Sequence, residues 1–391
     1  MSSYLSCISS DNLRSLVESE DNLEFKKELF YYETKNNFDY TISTEDNYSS
    51  DEIIFVGKYG KHRQNLDYSY HKHYKIERQL FHDVLIDQFL NTIVRDSKTG
   101  AVCEKPLQNW IVFTAGPMGS GKSRSLNYLS SKGYFPLESF VRVDPDILRH
   151  MLPEAELYIK CDPTNAGRLT QKEVSYISEV LTMDALEKSK NVLVDGSLRD
   201  AVWYSQYFRS LRHRFPNLKI AILQFICDDN TVLDRARRRG LITGRVIPDA
   251  VIKNTIAQLP KSMTLLAPLA DLVAVFQNED NKPLELVHFS QKEDGKECSP
   301  QKSNYFYDSD WSEDHSKSEH VEPKHTLEDF SDVWQMACAM PSPNISRQPS
   351  PSINGDLNDM HGTNATKINE TKNSVLTFTN EKSENNGLKH L

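Results

Sequence analysis

Residues 110–123 read WIVFTAGPMGSGKS, an apolar, β-prone stretch that runs without a break into a glycine-rich turn closed by Lys122 and Ser123. A buried strand entering GxxxxGK[ST] and leaving as a helix is the setting that a phosphate-binding loop requires. The glycines let the backbone curl so that several N–H groups face one point, and the helix that follows adds the positive end of its dipole. Gly116, Pro117, Met118, Gly119, Ser120, Gly121, Lys122 and Ser123 are therefore the candidate nucleotide cradle. Lys122 is expected to reach the β- and γ-phosphates, and Ser123 to ligate Mg2+. The competing reading, a glycine turn that merely joins two elements, leaves the matching context unexplained.

Around this anchor, strand and helix patterns alternate from residue 110 to 276, the signature of a parallel sheet with crossover helices. Strands are expected at 110–115, 140–143, 192–194, 220–226 and 272–276. Asp144 suits an N-cap and Pro145 a first helical position, opening a short helix through Met151. Thr170–Glu173 reads as a capping box that opens a long helix to about Lys188. Residues 201–215 form the next helix, 231–239 a basic helix ended by Gly240, and 248–259 another. The expected fold is thus a three-layer α/β P-loop kinase fold over 105–290, with five parallel strands.

The flanks differ in composition. Residues 1–55 are polar, with acidic and Asn-rich stretches and no sustained period, and are expected to be poorly ordered. Within a helical extension at 56–104, Ile76, Leu80, Phe81, Val84, Leu85, Phe89 and Ile93 fall at three- and four-residue steps, which predicts one amphipathic helix between 68 and 95. Residues 291–391 are rich in Ser, Asn, Lys and Glu and are expected to be a disordered tail. At 325–340, Leu327, Phe330, Val333, Trp334 and Ala337 could form one apolar stripe, a short helix for docking on this domain or on a partner.

Lys and Arg total 46 against 55 Asp and Glu, a formal net charge of -9. That balance disfavours general affinity for nucleic acid or anionic membrane. No run approaches the ~20 apolar residues of a membrane span. The N-terminus lacks a basic start and an apolar core, and the six cysteines form no CxxC pair, so a cytosolic setting is expected, with the nucleus left open.

Phosphoryl transfer asks for a carboxylate near the acceptor hydroxyl, positive charge over the transferring group and a carboxylate for the metal. Ligands of open parallel sheets sit beyond the carboxyl ends of the strands, where Asp144 and Asp146 follow the second strand and Asp195 follows the third. Asp144 suits an N-cap at least as well as a catalytic part; Asp146 is preferred as the base, against the alternative of a solvent-facing first-turn acid. Asp195 fits a contact to metal-bound water or to the acceptor. Arg235, Arg237, Arg238, Arg239 and Arg245 concentrate charge where small-molecule kinases carry a lid. A solvated face is the safer reading of Arg237 and Arg238, and Arg245 in GRVIP is preferred as a phosphate contact.

GPMGSGKS, VRVDPDILRHMLPE, VLVDGSLRD and DRARRRGLITGRVIP together resemble the zeta toxin family over roughly residues 108 to 278. Its bacterial members are kinases that phosphorylate UDP-N-acetylglucosamine. The resemblance implies Asp146 as catalytic base, acting with Lys122, Arg235 and Arg245, the two arginines on the nucleotide phosphates. It implies Asp146, Glu179, Asp195 and Arg199 at the acceptor, Ser123 and Asp195 at the metal, and ATP with Mg2+ as cofactors. By spacing alone Glu179 would be an ordinary exposed glutamate. Two departures bear on the acceptor: Asp195 stands where the toxins usually carry Glu, and SLRDAVWY replaces their small-residue run. The extension and the tail lie outside the bacterial pattern and look like a eukaryotic branch.

The expected activity is transfer of the γ-phosphoryl group of ATP to a hydroxyl of a small molecule, with a nucleotide sugar as the candidate acceptor. A 5′-hydroxyl polynucleotide kinase is the alternative enzyme. A nucleotide-gated interaction protein, engaging a partner through the N-terminal helix or the tail, is the alternative outside catalysis. A GTPase is disfavoured because Asn281-Lys282 lacks the Asp that reads guanine.

Overall fold

The structure, a computed structural model, describes residues 38–292 and 325–340. The expected disorder of the tail and of the first residues falls on 1–37, 293–324 and 341–391, which lie outside the described residues. Strand β1 (Trp110–Ala115) is buried along its whole length, because its large apolar side chains face helices on both sides of a parallel sheet. β2 (Phe140–Val143), β3 (Asn191–Val194), β4 (Lys219–Ile226), β5 (Leu272–Gln277) and β6 (Glu285–Gln291) complete the sheet in the order β2-β3-β1-β4-β5-β6. β1 pairs in parallel with β3 on one side and β4 on the other. The chain thus leaves β1 in one direction and β3 in the other, which opens a crevice at their carboxyl ends.

The sheet has six strands where the sequence pattern predicts five. β6 is antiparallel to β5, and of its residues only Leu286 is buried, so it never shows the apolar run of an inner strand.

In chain order the helices are α1 (Thr44–Tyr48), α2 (Gly60–Arg63), α3 (Ile76–Leu90), α4 (Lys122–Ser131), α5 (Pro145–His150), α6 (Ala155–Cys161), α7 (Ala166–Glu187), α8 (Ala201–Arg214), α9 (Asp229–Thr243), α10 (Asp249–Leu266) and α11 (Leu327–Asp332). Three termini depart from expectation for local reasons. Asp162 accepts from the backbone of Thr164 and Asn165, and this turn starts α7 at Ala166, so Thr170 is interior and donates to the Ala166 carbonyl at 2.8 Å. α9 passes through Gly240 and is capped by Gly244 at φ 71. α10 continues past Pro260 because Leu259, Met263 and Leu266 keep its buried stripe intact.

The region expected to be poorly ordered is structured from residue 38. Ser43 caps α1 by accepting from the Asp46 N–H, and Phe38 and Tyr40 pack on Tyr158 with centroids 5.7 and 5.3 Å away. Those rings have no period along the chain; their partner lies more than a hundred residues on. The amphipathic helix is also shorter than predicted, since Tyr68 and His73 stack at 4.1 Å in the turn before it.

The buried face of α3 is not the apolar stripe alone. It carries Arg78, Gln79, His82 and Asp83 beside Phe81, Leu85 and Ile86. Arg78, 1% exposed, donates to both oxygens of Glu154 at 3.1 and 3.0 Å and to Glu173 Oε2 at 3.1 Å. His82 Nε2 meets Glu173 Oε1 at 2.7 Å. Burial, helped by the charges of Arg78 and Arg63, outweighs Glu173 and lowers the His82 pKa to about 4. The ring is then neutral at pH 7, and Nε2 carries the proton that it donates.

The segment at 325–340 docks on this domain. Thr326 and Asp329 form a capping box, and buried Trp334 packs against Trp110 at 5.2 Å and Phe135 at 5.0 Å. Asn191 donates to the Ala337 carbonyl at 2.9 Å, and the Met340 N–H donates to Asp96 at 3.0 Å. The buried face of α3 and the apolar side of this segment thus both pack on the domain itself. Trp334→Ala is expected to cost roughly 3–5 kcal/mol, read as a lower urea midpoint at an unchanged m-value; an unchanged midpoint would show that the segment does not dock in solution.

Candidate active site

The glycine turn after β1 has three positions hostile to any side chain: besides Gly116 (φ 143), whose Cβ would stand 2.7 Å from the Phe225 carbonyl oxygen, they are Gly119 and Gly121. Gly119 (φ 97) would place a Cβ 2.3 Å from the Val232 carbonyl oxygen, and Gly121 (φ 84) 2.0 Å from Asn278 Nδ2. The loop is pinned from outside as well: Asn278 donates to the Ser120 carbonyl at 2.8 Å, and the Gly116 N–H donates to the Ser197 carbonyl at 3.2 Å. Lys122 opens α4 and turns back over the loop, donating to the carbonyls of Gly116 at 2.9 Å and Pro117 at 3.1 Å. Burial lowers its pKa, and the carboxylates of Asp195 and Asp146 oppose that shift.

Asp195 stands at the end of β3, where the Thr114 hydroxyl donates to its Oδ1 at 2.8 Å. Its other oxygen lies 3.4 Å from Ser123 Oγ. Two hard oxygen donors at this spot fit Mg2+, which in phosphoryl-transfer sites completes its shell with phosphate and water oxygens. Among the described residues no cluster of three or more His, Cys, Asp or Glu could hold a metal ion by itself.

Asp144 is the N-cap of α5, accepting from the N–H groups of Asp146 at 2.9 Å and Ile147 at 3.3 Å. Burial and the charge of Asp195 raise its pKa. Asp146 does not face open solvent as the competing reading requires; its side chain is 22% exposed and gathers three guanidinium groups. Arg149 Nη1 at 2.7 Å and Arg245 Nη1 at 2.6 Å donate to Oδ1, and Arg239 Nη2 donates to Oδ2 at 2.9 Å. Burial alone would raise the pKa of Asp146, but Arg245, Arg149 and Arg239 together outweigh it and hold the carboxyl at about 2.

The basic helix divides its arginines between two targets. Arg235 turns to the phosphate loop, donating to the Asn278 carbonyl at 3.2 Å and to Asp280 at 2.7 Å. One turn on, Arg239 reaches Asp146. Arg237 is exposed and tied to Asp234 and Asp249, as a solvated face implies. The left-handed cap at Gly244 reverses the chain so that Arg245 lies across α7 at Gly167, where a Cβ would stand 3.0 Å from its Nε.

Glu179 and Arg199 stand apart from this cluster. Glu179 Oε1 meets His71 Nε2 at 3.0 Å and lines an open pocket of about 260 Å³ with His62, Trp203, Tyr207 and Arg214, between the extension, α7 and α8. Arg199 Nη1 donates to the Thr255 hydroxyl on α10 at 3.3 Å. Arg149 and Asn278 were not singled out from the sequence. Arg149 had a local signal, three residues after Asp146 on one helix face; Asn278 had none, since it meets the loop only through the fold.

Residues 94–286 match the family model of the zeta toxins. Just under half of the chain is therefore similar to the zeta toxin family. Among solved structures, a chain of the PezAT chromosomal toxin–antitoxin system of Streptococcus pneumoniae aligns at 15% identity, covering 56% of this chain and 83% of that one, with a TM-score of 0.43. AvrRxo1-ORF1:-ORF2 with ATP aligns at 15% identity over 64% of this chain and 79% of that one, with a TM-score of 0.46. The Deinococcus radiodurans tunicamycin resistance protein aligns at 17% over 39% and 80%, with a TM-score of 0.23. Comparison with curated proteins finds no match. The match begins after α3, so the Arg78 network joins the matched residues to an extension outside them. No described helix is long and apolar enough to cross a membrane.

The Asp146 cluster has a pH signature. The folded pKa, at about 2, lies below the ordinary carboxylate value near 3.9, so the stabilisation is complete above roughly pH 5 and is lost as pH falls through the folded pKa. The difference in unfolding free energy between the wild type and Asp146→Asn should therefore shrink by on the order of 2 kcal/mol from pH 5 to pH 2, measured by denaturant titration. A difference that stays constant over this range would contradict the arginine cluster.

Proposed function

We propose that this protein is an ATP-dependent kinase that transfers the γ-phosphoryl group to a hydroxyl of a small molecule, with a nucleotide sugar as the candidate acceptor. The observation that carries this reading is Asp146: one ionised carboxylate, at the carboxyl end of the sheet beside the phosphate loop, bridged to two arginines of the α9 region. An ordinary surface ion pair needs no such convergence, whereas phosphoryl transfer uses an acid for the acceptor and cations for the phosphoryl oxygens in one place.

On this reading the N–H groups of residues 116–123 and the Lys122 ammonium hold the β- and γ-phosphates. Mg2+, held through Ser123 and Asp195, supplies charge neutralisation across the phosphates when bound. Arg235 lies at the loop, and Arg239 and Arg245 are placed to exchange Asp146 for phosphoryl oxygens. Asp146 orients the acceptor hydroxyl and takes its proton as the oxygen–phosphorus bond forms and the bond to the departing ADP breaks. A carboxyl with so low a pKa is a weak base while three arginines surround it. The loose transition state of phosphoryl transfer puts the proton transfer late, so position matters more than basicity. Asp195, Glu179 and Arg199 are proposed on the acceptor side, and the pocket at Glu179 is where a ring-bearing part of the acceptor would lie.

The test is incubation of the full chain with γ-labelled ATP, Mg2+ and a metabolite extract, with UDP-N-acetylglucosamine and a 5′-hydroxyl oligonucleotide as defined acceptors. A labelled small molecule should form with the wild type and fall by at least about 100-fold in Lys122→Ala. Label on the oligonucleotide alone would favour a polynucleotide kinase. Absence of ATP binding by calorimetry to folded protein would end the kinase reading.

A further inference from the structure

Three arginines reach Asp146, but they are not held alike. The Arg239 side chain, on α9, is 49% exposed, and that of Arg245, in the loop after Gly244, is 16% exposed. The Arg149 side chain is 4% exposed and belongs to the same helix as Asp146. Each of its three guanidinium nitrogens has its own acceptor. Nη1 donates to Asp146 Oδ1 at 2.7 Å, Nε to Thr170 Oγ1 at 2.8 Å, and Nη2 to Gln171 Oε1 at 2.8 Å. Thr170 is fixed in turn by donating to the Ala166 carbonyl. Arg245, by contrast, has a buried Nε with no hydrogen-bond partner.

We infer that Arg149 is the positioning residue for Asp146, aiming its carboxylate at the acceptor while Arg239 and Arg245 change partners. The inference rests on the kinase reading above and adds a division of labour to it. Bound phosphates compete with Asp146 for any arginine that can turn. Arg239 can, since one hydrogen bond and an exposed stem hold it, and Arg245 follows from the loop at Gly244. Arg149 would have to break its bonds to Thr170 and Gln171 and leave a buried site, so it stays. Asp146 then keeps one charged hydrogen bond on Oδ1, while Oδ2, released by Arg239, is free to face the acceptor hydroxyl. The persisting cation also keeps the carboxyl ionised and so able to take a proton. Burial and the neighbouring Arg245 lower the Arg149 pKa to about 10, which still leaves it charged at neutral pH.

The test compares full-length wild type, Arg149→Met, Arg149→Lys and Gln171→Leu, with Arg237→Met as a control on the exposed face of α9. Two readouts are used. The Asp146 carboxyl is titrated by carbon-13 NMR with Mg2+ and a non-hydrolysable ATP analogue bound, its signal assigned with Asp146→Asn. Turnover is resolved into kcat and the KM for ATP with the acceptor found above. The Asp146 midpoint should rise by about one pH unit or more in Arg149→Met, with kcat falling about 100-fold and the KM for ATP nearly unchanged. Arg149→Lys should recover part of both effects, and Gln171→Leu should move both in the same direction by less.

A midpoint and a kcat equal to the wild type in Arg149→Met would overturn the inference. So would a rise in KM for ATP at constant kcat, which would make Arg149 a phosphate contact. If Arg149→Met does not fold, Gln171→Leu decides, because it removes one anchor from an exposed position. If the wild type shows no turnover with any acceptor, the kinase reading fails, while the carboxyl titration still reports whether Arg149 governs Asp146.

Discussion

The arrangement turns on one buried guanidinium. Arg78 lies between Glu154 and Glu173, all three nearly inaccessible to water. A charge taken out of water is tolerable only when every donor finds an oxygen, and removing one partner of such a pair costs about 3–5 kcal/mol. Arg78 comes from the extension, Glu154 from the turn after α5, and Glu173 from α7. The interaction therefore holds together three pieces that have no local reason to associate. A second buried guanidinium works within the extension alone: Arg63 donates to the carbonyls of Val56 and Gln79 and pairs with Asp83.

α7 is the element through which this staple bears on the site. One end of the helix carries Gly167, which lets Arg245 lie close, and Thr170 and Gln171, which hold Arg149. One turn further Glu173 receives Arg78, and two turns beyond that Glu179 meets His71. Each of these contacts joins α7 to a different segment, so the position of one helix sets the aim of Asp146 and the wall of the neighbouring pocket together. The cluster of Lys122, Arg149, Arg239 and Arg245 against Asp144, Asp146 and Asp195 also gathers basic side chains within a chain whose net charge is -9. What matters there is the charge within a few ångströms, since ions in solution screen the rest.

Groups whose roles depend on adjacent residues were legible in the sequence. The phosphate loop, the Asp144 cap and the two acids after β2 and β3 all follow from near neighbours and the strand–loop–helix order. Gly244 shows where local reading reaches its limit: Gly240 and Gly244 are equally good caps on paper, and α9 ends at the later one. The later end brings Arg245 to Asp146 at 2.6 Å, a partner that near neighbours do not name. Arg78, His82 and Asp83 were invisible for another reason. A search for apolar period treats buried charges as the outer face of a helix, and their partners lie far along the chain. The short strand β6 is the opposite case, too exposed at the sheet edge to announce itself by burial.

The two halves of the proposed reaction draw on different parts of the chain. Lys122, Ser123, Arg235 and Arg245 all lie inside the zeta toxin match, and so does Asp146 with its anchor Arg149. The pocket at Glu179 is composite. His62, Asn65, Leu66 and Asp67 come from the extension, while Trp203 and Tyr207 come from α8. Trp203 belongs to SLRDAVWY, inside the family match, whereas the extension before residue 94 lies outside it. Residues inside and outside the family match thus meet on one wall, the one that the proposed function gives to the acceptor. On the proposed reading the two halves can vary independently, since a phosphate chain is held by main-chain geometry and charge whereas an acceptor is recognised by the shape of the pocket around it.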